Sequence, residues 1–196
     1  MSILLSRRRF LQGVAVSPFL TQREDDVQNW PAFRGPHGRG VAEGFPVRTS
    51  WNADELNGKV VGRRWRSPVP GLGHSSPIIW GNRIFVPTAI AKEGDIPLTV
   101  GGDAGVSRSS WTGSTDAAED KGEQRWVVLC YDKQSGQEIW SKTARIGTPR
   151  ATRHAKATHA NTSLVTDGQR LVAFFGSEGL YCYDLDGNLL WSRDLG

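Results

Sequence analysis

At 196 residues the chain is long enough for one ordinary domain with a sizeable core. Its 23 glycines and 10 prolines, against 38% apolar residues, leave no long run of helix formers and exclude a helical domain; short apolar runs broken by Gly, Asn, Asp and Ser predict an all-β architecture. The formal charge of +4 does not mark a nucleic-acid binder, because Arg7, Arg8 and Arg9 hold three of the 24 basic side chains and the remaining 21 balance 20 acidic ones without a lysine-rich run.

The chain opens with Ser6-Arg7-Arg8-Arg9-Phe10-Leu11, which resembles a twin-arginine export signal. The apolar stretch 10–20 that follows is too short to span a bilayer as a helix. Residues 1–21 are therefore expected to be an address rather than a fold element, and the protein is expected to be exported to the periplasm or cell envelope. Membrane contact would run only through this segment, if it stays uncleaved. Residues 22–60 form an entry segment containing Trp30-Pro31-Ala32-Phe33-Arg34-Gly35-Pro36. Arg64-Trp65-Arg66 reads as an isolated strand entering from the N-terminal side.

From there to the end the chain repeats itself. Cys130-Tyr131-Asp132, a turn closing on Gly136 and then Ile139-Trp140 match Cys182-Tyr183-Asp184, Gly187 and Leu190-Trp191, with one residue fewer in the second turn. Upstream, Ser76-Pro77-Ile78-Ile79-Trp80-Gly81-Asn82-Arg83-Ile84-Phe85-Val86 matches Thr162-Ser163-Leu164-Val165-Thr166-Asp167-Gly168-Gln169-Arg170-Leu171-Val172. Gly81-Asn82 and Asp167-Gly168 supply the hairpin-turn chemistry, since Gly and Asn enter positive φ cheaply. The prediction is two units of four antiparallel strands. The first spans about 74–143, with strands near 76–80, 83–88, 126–132 and 138–143. The second spans about 160–196, with strands near 162–166, 170–175, 180–184 and 188–193. An insertion at 89–125 separates the second and third strands of the first unit. It is poor in aliphatics, and its Asp116, Glu119, Asp120 and Glu123 read as solvated acidic surface without the spacing of a calcium loop.

A spacing of 51 residues from Trp140 to Trp191 suits a propeller blade with its connections. Asp132, Gly136 and Trp140, then Asp184, Gly187 and Trp191, resemble the tryptophan-docking motif of pyrroloquinoline quinone (PQQ)-type propeller repeats. The segment from Trp30 to Pro36, Gly73-His74-Ser75-Ser76-Pro77 and Phe174-Phe175-Gly176-Ser177-Glu178-Gly179 add to that resemblance. It implies a β-propeller of four-stranded antiparallel blades, of which residues 61–196 supply about two. Because a ring needs about four to eight, the chain reads as the N-terminal part of a longer propeller. The resemblance also implies that each Trp packs between adjacent blades.

Candidate ligand-binding residues lie on loops near the expected ring axis: His74, Arg150, Arg153, His154 and His159. They read either as ligand contacts or as loop side chains satisfying backbone carbonyls. Cys130 and Cys182 occupy equivalent positions of successive units, too far apart for a disulfide, and are expected to be buried thiols. Ser75, Ser76 and Arg34 have no visible triad partners, so no catalytic residue, metal ligand or bound cofactor is expected. The leading expectation is a binding or assembly scaffold that takes a protein or small-molecule ligand on the propeller face, without nucleic acid. The alternative is a quinoprotein oxidising an alcohol or sugar with PQQ and calcium. Surplus tryptophans (Trp30, Trp51, Trp111) raise a weaker, carbohydrate-contacting reading.

Overall fold

A computed structural model describes residues 29–44, 48–53, 58–92, 117–118, 120, 122–154 and 156–196. The arginine-rich start and most of the insertion, including Trp111, Asp116 and Glu119, lie outside them. The described strands are β1 (Ile78–Trp80), β2 (Arg83–Ala91), β3 (Ala117–Ala118), β4 (Gln124–Asp132), β5 (Glu138–Gly147), β6 (Arg153–His154), β7 (Val165–Thr166), β8 (Arg170–Phe174), β9 (Leu180–Asp184) and β10 (Leu189–Arg193). They form two four-stranded antiparallel sheets, ordered β1-β2-β4-β5 and β7-β8-β9-β10, with β3 paired to β6 alongside. The protein is all-β, and no helix among the described residues is long and apolar enough to cross a membrane.

The turns explain where the strands stop. Asp132 Oδ1 accepts the backbone N–H groups of Gln134 (3.0 Å) and Ser135 (2.7 Å). Asp184 Oδ1 does the same for Asp186 (2.9 Å) and Asn188 (2.8 Å), and Asp167 Oδ1 for Gln169 (2.8 Å) and Arg170 (2.6 Å). In each case a short carboxylate satisfies amides that the reversing chain removes from the ladder. Gly136 and Gly187 then take φ of +73° and +81°, a region that side-chain-bearing residues avoid.

Period-two alternation sends each strand's apolar residues to two faces. On the first sheet Ile78, Phe85, Cys130 and Trp140 stand in one cross-strand row. That face packs on Leu171, Ala173 and Tyr183 of the second sheet and on Leu164 just before it, and Ile78, Phe85, Cys130 and Leu171 are fully buried. The opposite face of the first sheet carries Val127, Leu129 and Tyr131. The run 65–72 lies against it and then along the edge of β2: the Tyr131 hydroxyl donates to Pro68 O (3.1 Å), Thr88 Oγ1 to Pro70 O (2.6 Å), and Leu72 forms a backbone bridge with Ala89 at that edge. Trp30 exchanges backbone hydrogen bonds with Ile79 (2.8 and 2.9 Å), and Thr166 N–H donates to Pro31 O (2.9 Å). The entry segment thus ties the first strands of both sheets together.

Three details differ from the sequence reading. Arg64-Trp65-Arg66 joins no ladder; its hold is through side chains, described below. Strands β2 and β4 reach Ala91 and Gln124, so the excursion between them is shorter than 89–125. The extension is favoured because Trp126 and Ala89 are buried in the main core, which makes the added ladder part of a packed face. Residue Phe175 lies beyond β8, and β1 and β7 are short, starting at Ile78 and Val165. Cys130 and Cys182 are free and buried, and burial pushes the Cys130 thiol up to about 12.

Candidate functional site

The antiparallel meander gives both sheets two distinct ends. One end carries the tight turns at 81–82, 133–137, 167–169 and 185–188. The other carries the links that leave β2, β5 and β8.

At the turn end, tryptophans reach from one segment to the next. The Trp140 indole N–H donates to Leu185 O (3.1 Å), and a Cβ on Gly187 would sit 3.0 Å from its ring. Trp65 repeats the arrangement one unit earlier: its N–H donates to Lys133 O (2.9 Å), and a Cβ on Gly136 would come within 2.5 Å of its ring. Lys133 and Leu185 each follow the turn aspartate, Asp132 and Asp184. Trp80 lies against Gly168 in the same way, and Arg83 pairs with Asp186 (2.7 Å). Trp191 is 39% exposed.

At the loop end, Arg153 is buried and bidentate on Asp120, with Nε–Oδ2 at 2.5 Å and Nη2–Oδ1 at 3.2 Å. Its Nη1 donates to Ala157 O (2.7 Å). His159 Nε2 lies 3.0 Å from the same Asp120 Oδ2, and Trp126 N–H donates to His159 O (3.2 Å). Burial pulls the His159 pKa down, and the Asp120 charge opposes that shift without reversing it. Asp120 is therefore no solvated acid: its side chain is 2% exposed, and it anchors the end of the insertion to the link between the sheets. Glu123 does remain at the surface, paired with Lys92 at 3.3 Å.

A second cluster stands beside the first. Glu178, also 2% exposed, accepts the Arg150 backbone N–H (2.7 Å) and the Ser177 hydroxyl (3.2 Å) through Oε1. Arg145 Nε lies 2.7 Å from Glu178 Oε2 but off the N–H direction, which makes the contact Coulombic rather than a hydrogen bond. The Arg150 guanidinium clamps Asp194 and also donates to Ser177 O (3.1 Å). That clamp holds the Asp194 carboxyl far below the usual carboxylate range.

Of the five loop candidates, Arg153, His154 and His159 line one groove of about 270 Å³, together with Glu178, Phe174 and Asn161. Arg150 supports its wall through Glu178. His74 is apart from it: the side chain is exposed, and its backbone N–H donates to Ala160 O (3.1 Å). Among the described residues, no three His, Cys, Asp or Glu side chains are grouped to hold a metal ion. Sequence reasoning missed Glu178 and Asp120 as organisers. Glu178 carried a faint signal, a lone acid inside the four-residue link 176–179. Asp120 carried none.

The turn aspartates make stability sensitive to acid. Asp132 is held below its ordinary pKa chiefly by the Ser135 amide and hydroxyl, Asp184 by the Asn188 side chain and amide, and Asp167 by the Arg170 and Gln169 amides. A carboxyl whose folded pKa is depressed contributes stability that is full above its unfolded pKa and is lost as pH falls through the folded value. Melting temperature is therefore expected to hold steady above about pH 4 and to fall below it. A flat profile down to pH 2.5 would contradict these caps.

The fold and loop end define an all-β protein of two stacked antiparallel sheets with a polar groove between its links. No protein-family model matches the chain, and no curated protein is significantly similar to it.

Proposed function

We propose that the two sheets are consecutive blades of an exported PQQ-type β-propeller, and that its loop end is a binding or assembly platform in the cell envelope. One observation carries the reading: Trp65 and Trp140 sit on successive Asp-to-Gly turns with the same indole-to-carbonyl hydrogen bond, one unit apart. Such translation of one contact from sheet to sheet is what a radial stack of repeats requires. Export rests on the Ser6-to-Leu11 motif, and the ligand would be a protein segment or small molecule seated on the loop end.

The quinoprotein alternative shares the fold and differs in its site. PQQ is a polyanionic quinone and needs cations directed at it, and calcium would need a further set of oxygen ligands. The arginines that reach the groove and its wall are instead committed to Asp120 and Asp194, so the described residues do not fit that group. Supplying PQQ and calcium to the purified protein with an artificial electron acceptor and a panel of alcohols and sugars is expected to give no quinone-dependent dye reduction. Turnover that requires PQQ would overturn the scaffold reading.

A further inference from the structure

We draw no further inference here: the strongest candidate, the outward face of the second sheet on which Val165, Phe174 and Trp191 stand partly exposed, is an unpartnered sheet face, and nothing in the structure shows what covers it.

Discussion

Trp140→Ala is expected to lower the free energy of unfolding by about 3–5 kcal/mol, the usual range for deleting a packed indole, whereas Trp191→Ala is expected to cost about 1 kcal/mol or less. The two residues occupy equivalent positions in the repeat, so helix or strand propensity cannot separate them. Their surroundings can. Trp140 lies 5.8 Å from Phe85 between ring centroids, donates to Leu185 O and rests against Gly187. Trp191 stands in the row Val165, Val172, Cys182, Trp191, the counterpart of the buried row on the first sheet, yet Val165 and Trp191 remain 46% and 39% exposed. Urea denaturation followed by far-ultraviolet circular dichroism measures both without relying on tryptophan emission. Trp140→Phe should retain much of the packing and lose the indole hydrogen bond, giving an intermediate loss. Equal losses for Trp140→Ala and Trp191→Ala would show that the sheets are not clamped at this point.

The buried ion pair gives the second large effect. Asp120→Ala leaves Arg153 charged at 6% exposure with its carboxylate gone, and is expected to cost about 3–5 kcal/mol. Arg153→Met should cost a similar amount for the mirror reason. The double replacement Asp120→Leu with Arg153→Met removes both charges together and is expected to recover most of the loss, because the expense lies in the orphaned partner. His159 enters the same cycle through its contact with Asp120 Oδ2. A double-mutant cycle by urea denaturation gives the coupling directly. Additive losses would mean that the link and the insertion are not held by this pair.

Much of the architecture was legible from local pattern. Asp132, Gly136, Asp184 and Gly187 mark their turns because a carboxylate two to four residues ahead of free amides and a glycine at positive φ are local requirements. The short apolar runs in 83–88 and 126–132, each bounded by a turn, marked strands for the same reason. The ends of β2 and β4 were not legible, since Ala89, Ile90 and Gln124 extend the ladder only where a facing sheet and the segment 65–72 bury them. Trp65 illustrates the limit well: between two arginines it looks like a strand residue, and its position is set by a turn some 70 residues later.

The sequence by itself determined the two-unit repeat, the four-strand pattern of each unit and the turns that close them, because all three arise from interactions a few residues apart. Only the tertiary structure decided which repeat-equivalent tryptophan is clamped, that Asp120 is buried on Arg153 and His159, and that the groove's charges are spent internally. Those outcomes depend on distance and desolvation between groups far apart in the chain, and neither quantity is written in residue order.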